Sequence, residues 1–424
     1  MTRAGGSRPA RRAALLVAGA AIGLLLTGPA GAPASWSAPR ALPALSTSLA
    51  DVAINDRGDA AVVWTGGSPI TVNVTLLPAA GGSATHRLWR TRNGERSDSV
   101  SVALDQRGAV TVAWISGVSS TGHDVLRAAH GALMGRWSSP QVVSATMASS
   151  ADLAVAPDRT VLLVWTNGPM DRRGSTGVAW RTPPHRFGER RMLRRPAAVW
   201  TPYIPLGPAT AAFDARATAY VSGGCDGSVR IARSRRRRFG APVAAAPGRV
   251  LSLSLSVSGA GSGLASWIDS RCTGDVGGEG SPRGSVWASA MRSGAFAAPV
   301  AVSPQPDQLG TRAIAIPGDG GVVTWPISGV EPPSGVGFDA AGTPGMAGPT
   351  PDGLSPQAAD GAGDLLLSGA TGTLIVRPAR GGAYEPGPPG AGVVATSGRG
   401  FAVVWNPEPA GDLGARLRLS MWRP

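Results

Sequence analysis

After residue 34, small apolar and polar residues alternate in short runs, and no segment shows the longer period of an amphipathic helix. The clearest run, DVAINDRGDAAVVW at 51–64, returns little changed as SVALDQRGAVTVAW at 101–114. Each predicts a strand, a tight turn and a second strand, because Asp accepts hydrogen bonds within its own turn and Gly tolerates a positive φ. The pattern predicts an all-β protein.

The same phrase occurs eight times, spaced about 37 to 58 residues apart. The copies begin near residues 51, 101, 152, 210, 254, 312, 355 and 392. Six copies end on a tryptophan, namely Trp64, Trp114, Trp165, Trp267, Trp325 and Trp405. One tryptophan per repeat at a strand end is typical of packing between neighbouring sheets, and a sugar-stacking platform is the alternative.

Each phrase is followed by the signs of two more strands. VLRAAH at 125–130 predicts a third strand, and an aromatic-x-x-Pro signature such as Trp137 with Pro140 marks the fourth. The last copy lacks a fourth strand, whereas residues 35–45 carry that signature alone. We therefore expect a single β-propeller over 35–424, with about eight four-stranded blades closed by the N-terminal strand. Seven blades is the alternative if the copy at 355–368 is an insertion.

The repeated phrase resembles the V-A-φ-D-x-x-G-x-φ-φ-φ-φ-W repeats of secreted bacterial β-propeller proteins, in the broad company of WD40-like and sialidase-like propellers. The resemblance covers residues 35–424. Sialidases carry Ser-x-Asp-x-Gly-x-Thr-Trp boxes between the third and fourth strands, whereas here the Asp-Gly turn joins the first and second strands and no copy has that pattern. The resemblance therefore implies a propeller scaffold and no particular activity.

Residues 1–34 have the features of an export signal. Four arginines precede the apolar run AALLVAGAAIGLLL at 13–26, and small residues follow as far as Ala34. That run is short for a membrane span, and no later segment is apolar enough for one. We expect the signal to be cleaved after Ala34 or nearby, and its retention as a membrane anchor is the alternative. Export places the protein outside the cell, on its surface or in the periplasm. There we expect Cys225 and Cys272, in equivalent loops of adjacent repeats, to form a disulfide.

The chain contains 40 basic residues, all arginine, against 26 acids, and its formal net charge is +14. A chain without lysine is typical of a GC-rich genome, so the excess alone says little about a partner. In an up-and-down blade the turns after strands one and three share one face, and arginines gather there. They are Arg57, Arg107, Arg159, Arg216, Arg235, Arg236, Arg237 and Arg238. Because guanidinium groups suit phosphates and carboxylates, we predict an anion-binding face.

The chain has no GxSxG, HExxH, P-loop or Rossmann glycine pattern, so we expect no cofactor, no metal and no catalysis. The sequence favours a monomeric binding or scaffolding module whose partner is an anionic cell-wall polymer or another exported protein. Nucleic acid is disfavoured because few stacking aromatics accompany the arginines. The alternative is a propeller glycoside hydrolase or lyase that uses acids of the opposite face, such as Asp269 and Glu279.

Overall fold

The structure is a computed structural model, and all of its described residues belong to one unit that spans Ala34–Pro424. It describes residues 35–45, 50–91, 95–118, 123–145, 148–167, 175–193, 210–214, 216–223, 228–235, 237–239, 243–247, 250–258, 261–269, 285–292, 294–303, 311–317, 320–327, 330–346, 348–349, 354–368, 374–377, 385–388, 392–397, 399–405 and 416–423. The predicted export signal at 1–34 lies outside these residues.

The described strands form eight antiparallel sheets, which we number 1 to 8 along the chain. The first two strands, β1 (Ser35–Trp36) and β2 (Arg40–Leu45), belong to sheet 8. Sheet 1 contains β3 (Ala50–Ile54), β4 (Ala60–Gly66), β5 (Thr71–Leu77) and β6 (Ala84–Arg90). Sheet 2 contains β7 (Glu95–Leu104), β8 (Ala109–Val118), β9 (His123–Ala132) and β10 (Gln141–Ser144). Sheet 3 contains β11 (Ala148–Val155), β12 (Val161–Asn167), β13 (Ser175–Arg181) and β14 (Arg191–Met192).

Sheet 4 contains β15 (Thr210–Phe213), β16 (Ala219–Gly223), β17 (Ser228–Arg235), β18 (Arg238–Phe239) and β19 (Val243–Pro247). Sheet 5 contains β20 (Val250–Val257), β21 (Gly263–Asp269), β22 (Ser285–Arg292), β23 (Ala295–Phe296) and β24 (Val300–Ala301). Sheet 6 contains β25 (Arg312–Ile316), β26 (Gly320–Ile327), β27 (Val330–Phe338) and β28 (Gly348–Pro349). Sheet 7 contains β29 (Ser355–Ala359), β30 (Leu365–Ser368), β31 (Leu374–Arg377) and β32 (Glu385–Pro386). Sheet 8 adds β33 (Gly392–Ser397), β34 (Gly400–Trp405) and β35 (Arg416–Arg423) to β1 and β2.

All eight copies of the repeated phrase form the predicted strand–turn–strand hairpin. The turn residue of the phrase closes it with a side-chain oxygen. Asp105 Oδ1 accepts hydrogen bonds from the backbone N–H groups of Arg107 and Ala109, both at 2.8 Å. The same pair of bonds is made by Asn55, Asp214 and Asp360. Gly108 takes the positive φ, 83°, that this turn requires. The recurrent acid of the phrase is therefore a turn-forming residue.

Each seam between neighbouring sheets is filled by one cluster of buried apolar side chains. Trp165 of sheet 3, for example, packs with Ile115 and Leu126 of sheet 2. None of the six phrase tryptophans is more than 9% exposed, which confirms the packing interpretation over the sugar-stacking one. The seams between sheets 3 and 4 and between sheets 6 and 7 contain none of the six phrase tryptophans, and Val221 and Leu367 of the two copies without tryptophan pack there.

The first strand of every sheet is hydrogen-bonded to a strand on one side only, and the first strands of successive sheets contact one another. The N–H groups on the other edge therefore need acceptors. A side chain of the preceding sheet supplies several of them. Asp51 Oδ2 accepts the Val102 N–H at 2.9 Å, Asp152 Oδ2 the Ala211 N–H at 3.0 Å, Ser254 Oγ the Ala313 N–H at 3.0 Å and Ser256 Oγ the Ala315 N–H at 3.0 Å.

The N-terminal strands pair with the C-terminal strand of the chain. Trp36 of β1 lies opposite Trp422 of β35, and Arg40 of β2 lies opposite Leu419. Sheet 5 has the same arrangement within itself, because β23 and β24 both pair with β22. Residues 35–45 thus supply to sheet 8 what residues 295–301 supply to sheet 5.

The aromatic-x-x-Pro signature marks the beginning of the fourth strand: Trp36 and Phe296 lie in the short strands β1 and β23, which pair with the third strand, whereas Trp137 lies just before β10. After Trp137 and Pro140, β10 begins at Gln141, and after Trp36 and Pro39, β2 begins at Arg40. The N–H that follows each aromatic is bonded back to the third strand: Ser138 donates to the His130 carbonyl at 2.8 Å. The signature therefore marks the place where the chain begins to pair with the third strand.

Within the described residues, the structure contains no helix that is long and apolar enough to cross a membrane.

One seam provides a direct test of tight packing. Gly177 of β13 lies opposite Trp165, and a Cβ at Gly177 would be 2.1 Å from Cε2 of the indole ring. Gly337 of β27, also on a third strand, would have no atom within 4 Å of a Cβ. Gly177→Ala is expected to lower the free energy of unfolding by roughly 1 to 3 kcal/mol, because the ring must move. Gly337→Ala, the matched control, should leave it nearly unchanged. Thermal unfolding measures both, and equal Tm values for the two variants would contradict the packing described here.

Candidate functional site

The turns after the first and third strands of each sheet lie on one side of the fold, which we name the turn face. Hydrogen bonds join these turns within and between sheets. Leu133 N–H donates to the Gly108 carbonyl at 3.1 Å within sheet 2, and the Asn55 side-chain amide of sheet 1 donates to the Asp105 carbonyl at 3.1 Å. The turns of sheets 1 and 2 are therefore joined into one surface.

Two of the predicted binding arginines are engaged in ion pairs. Arg57 Nη2 lies 2.6 Å from Asp59 Oδ2 in the same turn, and Arg159 Nε lies 2.6 Å from Asp105 Oδ2 in the preceding sheet. Asp105 is buried, so Arg159 neutralises a carboxylate that water reaches poorly. Both cations hold turns together, and their charge is matched locally.

The structure describes the side chains of some of the remaining predicted arginines but not of others. Arg107, Arg216, Arg237 and Arg238 are exposed and have no ion pair among the described residues. The Arg237 side chain donates a hydrogen bond to Thr182 Oγ1 of sheet 3. Arg235 is described only as part of the backbone of β17, and Arg236 lies outside the described residues.

Sheets 2 and 3 add two further exposed arginines, Arg136 and Arg186, to the same side. Together they form what we name the basic cluster: Arg107, Arg136, Arg186, Arg216, Arg237 and Arg238. The carboxylates described in this part of the turn face are fewer: Asp105, Asp158, Glu189 and Asp214. The turn face is thus positively charged over sheets 2 to 4.

A buried arginine and a histidine lie beneath this cluster. Arg181, 2% exposed, donates to the His185 carbonyl and to Thr111 Oγ1, both at 2.8 Å. Burial lowers the pKa of Arg181 to about 10. Burial, followed by the charges of Arg181 and Arg186, lowers the pKa of His130 to about 4. His130 is therefore neutral at pH 7, as expected where positive charges gather.

Two carboxylates at the inner strand edges were not identified as a site from the sequence. Burial raises the pKa of Asp51 to about 6, although the backbone N–H groups of Val102 and Val52 donate to it. Burial raises the pKa of Asp152 to about 7, and the nearby negative charge of Asp51 adds to the shift. We name this pair the inner carboxylates. The sequence does contain a sign of this pair, because each of the two residues is the first of a copy of the repeated phrase.

The other predicted positions lie largely outside the described residues. Cys225, Cys272 and Glu279 are among them, so the expected disulfide stays a prediction. Asp269 is described only in the backbone of β21. In the described part of the chain, no group of three or more His, Cys, Asp and Glu side chains is placed to hold a metal ion.

No protein-family model and no curated protein matches this chain. Among solved structures, the chain is similar to the polysaccharide lyase Uly1, with 9% identity over 90% of each chain and a TM-score of 0.49. It is also similar to the β-propeller domain of the Trilobed protease from Pyrococcus furiosus, with 10% identity over 83% of this chain and 97% of that one and a TM-score of 0.42. A third is YCF48 bound to D1 peptide, with 12% identity over 92% and 97% and a TM-score of 0.43.

The class of protein follows from the sheets of the chain itself. Consecutive antiparallel sheets of mostly four strands, each packed on the next, define a β-propeller.

The inner carboxylates predict how stability depends on pH. Because their folded-state pKa values lie above the ordinary value of 3.8, the folded protein binds protons more tightly than the unfolded chain. Their contribution is therefore complete below about pH 4 and is lost as the pH rises through about 6 and 7. His130, with its lowered pKa, acts in the opposite direction. The informative quantity is thus the difference in Tm between the natural chain and Asp51→Asn/Asp152→Asn.

That difference should change in favour of the double variant between about pH 5 and about pH 8, because Asn stays neutral throughout. Both proteins retain His130, so its titration cancels. Thermal unfolding across this range measures the effect. A difference in Tm that does not vary with pH would show that these carboxylates titrate normally.

Proposed function

We propose that this chain is an exported β-propeller that binds an extended anionic polymer through the basic cluster of its turn face. The observation that carries the proposal is the cluster itself. Six exposed arginines from three consecutive sheets have no ion pair among the described residues, while the neighbouring Arg57 and Arg159 are matched with acids. A row of planar guanidinium groups suits repeated carboxylate, sulfate or phosphate groups.

The aromatic side chains near the cluster favour an anionic polysaccharide or cell-wall polymer over nucleic acid. Phe187 is buried, and Phe239 packs against Trp180 with ring centroids 5.6 Å apart. Both rings are therefore used in packing, whereas single-stranded nucleic acid is usually held by exposed rings on which bases stack. The N-terminal export pattern supports the same partner, because cell-wall polymers are met outside the cell.

We further propose that the eight sheets are the blades of one closed ring. The seam clusters support it, since Val52 of sheet 1 packs with Leu42 and Met421 of sheet 8, as other neighbouring sheets pack together. Ala41 and Arg418 lie opposite each other in β2 and β35. In a chain with Cys225→Ser and Cys272→Ser, the pair Ala41→Cys/Arg418→Cys should form a disulfide. The disulfide should raise Tm, because the loop that it closes contains most of the chain and the unfolded state loses conformational entropy. Failure to cross-link in the folded protein would count against closure.

The basic cluster predicts charge-dependent binding. Residues 35–424 should bind dextran sulfate and isolated anionic cell-wall polymer, but not neutral dextran, and the affinity should fall steeply from about 50 to about 500 mM salt. The test variant carries four Arg→Gln changes, at Arg186, Arg216, Arg237 and Arg238. It should bind at least roughly tenfold more weakly, since each exposed charged contact contributes up to about 1 kcal/mol. Calorimetry or retention on immobilised polymer measures the change.

The matched control removes the same charge from exposed arginines elsewhere. Its four Arg→Gln changes are at Arg40, Arg87, Arg416 and Arg418. Equal weakening in the two variants would show that net charge alone attracts polymer, and the proposed face would be wrong. Duplex DNA and anionic liposomes, run in parallel, distinguish the polymer from other anions.

A second candidate function is a glycoside hydrolase or lyase, and the inner carboxylates favour it. Asp51 and Asp152 belong to different sheets, lie close enough to interact electrostatically and have raised pKa values. Carboxyl groups of this kind can act as general acid and base on a sugar chain. If so, incubation shortens an anionic polymer, and Asp152→Asn abolishes the shortening while retaining binding. If the polymer is bound but is not shortened under any condition, the hydrolase or lyase function is wrong and only the binding function remains.

A further inference from the structure

The turn between β13 and β14 of sheet 3, residues 182–190, is attached to sheet 2 across the seam. Gln141 of β10 donates through Nε2 to the Phe187 carbonyl at 2.9 Å, and its Oε1 accepts the Phe187 N–H at 3.0 Å. The side-chain amide thus pairs with both backbone groups of one turn residue. Arg186, an exposed member of the basic cluster, directly precedes that residue, so its backbone is held against sheet 2.

Two more hydrogen bonds hold the same turn. The His130 ring of β9 donates to the Pro184 carbonyl, and Arg181 donates through Nε to the His185 carbonyl at 2.8 Å. These contacts precede Arg186 along the chain, and the paired amide described above follows it. A turn that is held on both sides of an exposed side chain loses little conformational freedom when that side chain meets a ligand.

The seam beneath this turn contains more positive than negative charge. Arg181, 2% exposed, has no ion pair within the part of the chain that the structure describes. Asp105 is near enough to act on it electrostatically, but makes its ion pair with Arg159 at 2.6 Å. One buried carboxylate thus serves two guanidinium groups. A cation buried without its own partner is costly, and an anion that approaches from the surface lowers that cost.

The histidine at this seam shows that the charges of two arginines act at the same place. Burial, together with the positive charges of Arg181 and then Arg186, lowers the pKa of His130 to about 4. One of these guanidinium groups is buried below the turn and the other is exposed on it. An anionic group at the surface of this seam is therefore attracted by both.

The amide that holds the turn is specific to sheet 2. The residue after the aromatic-x-x-Pro signature is Gln141 in sheet 2, but Val243 in sheet 4, Val300 in sheet 5 and Arg40 in sheet 8. Neither a valine nor an arginine side chain can both donate and accept a hydrogen bond. The repeat itself does not require the amide, so the attachment of this turn is a feature of one seam.

We propose that the seam between sheets 2 and 3 is the principal anion subsite of the polymer-binding face. Arg186 contacts one carboxylate, sulfate or phosphate group of the polymer, and Arg181 attracts that group from beneath without touching it. Gln141 is a positioning residue, because it acts on the ligand only through the turn that carries Arg186. Since this subsite belongs to the basic cluster, it rests on the proposed polymer binding. A guanidinium group on a preorganised turn suits an oxyanion.

The experiment measures the affinity of residues 35–424 for dextran sulfate, polygalacturonate and polyphosphate by isothermal calorimetry at low salt. The three polymers offer sulfate, carboxylate and phosphate groups, and the tightest binder identifies the anionic group. Arg186→Gln should weaken that binding about threefold, because one exposed charged contact is lost. Arg216→Gln, the matched control within the basic cluster, removes the same charge from sheet 4 and should weaken binding less.

The role of the amide is tested by combining substitutions. Gln141→Ala should weaken binding about as much as Arg186→Gln. The double variant should bind no more weakly than either single variant, because both changes remove the same contact. Gln357→Ala is the matched control. Gln357 accepts a hydrogen bond from Arg312 of the neighbouring sheet, far along the chain from the basic cluster, and its loss should leave the affinity unchanged.

The buried charge is tested separately. Arg181→Met removes the charge and should weaken binding, whereas Arg181→Lys keeps the charge and should restore most of the affinity. If Arg181→Met does not fold, the variants of Gln141 and Arg186 still decide the outcome, because both side chains lie outside the buried core.

Three results would overturn the subsite, and they separate it from the polymer binding on which it rests. If the natural chain binds polymer but Arg186→Gln and Arg216→Gln weaken binding equally, the basic cluster has no principal subsite and polymer binding stands. If the losses from Gln141→Ala and Arg186→Gln multiply in the double variant, the amide does not act through this arginine. If the natural chain binds none of the three polymers, the proposed function and the subsite are both wrong.

Discussion

The structure depends on the need to cover both faces of every sheet. A small antiparallel sheet with two apolar faces is stable only between two others, so the stability of each sheet resides in its seams. At the seam between sheets 2 and 3, the ring of Trp165 fills the space beside Ile115 and Leu126. The same constraint gives strand β2 a structural role, because β2 contributes Leu42 to the seam between sheets 8 and 1.

The seams also determine which charges are available for function. Where a turn carboxylate faces the next sheet, as Asp105 faces Arg159, the ion pair joins two sheets and its arginine is matched. Arg107 and Arg216 have no ion pair in the part of the chain that the structure describes, and they are exposed on the same face. The binding face that we propose therefore consists of arginines that the seams do not use.

Much of the architecture follows from local patterns. The Asp-x-Arg-Gly phrase predicts a hairpin because its hydrogen bonds, such as Asp105 to Arg107 and Ala109, lie within five residues. The aromatic-x-x-Pro signature marks the fourth strand in the sequence, but one of its aromatics, Trp137, precedes the strand. Trp137 looks like a strand residue in the sequence, but the N–H that follows it bonds back to His130, a contact that spacing alone does not show.

The sequence by itself determined the all-β class, the strand–turn–strand copies and the buried role of the repeated tryptophans, since periodicity and turn chemistry act over a few residues. Only the tertiary structure determines which charged side chains contact one another. Arg159 and Asp105 are 54 positions apart, and their 2.6 Å contact exists because two sheets pack side by side. The pKa values of Asp51 and Asp152 likewise depend on burial by other sheets. Electrostatic interactions depend on the distance between charges and on the exclusion of water, and neither can be read from the amino-acid sequence.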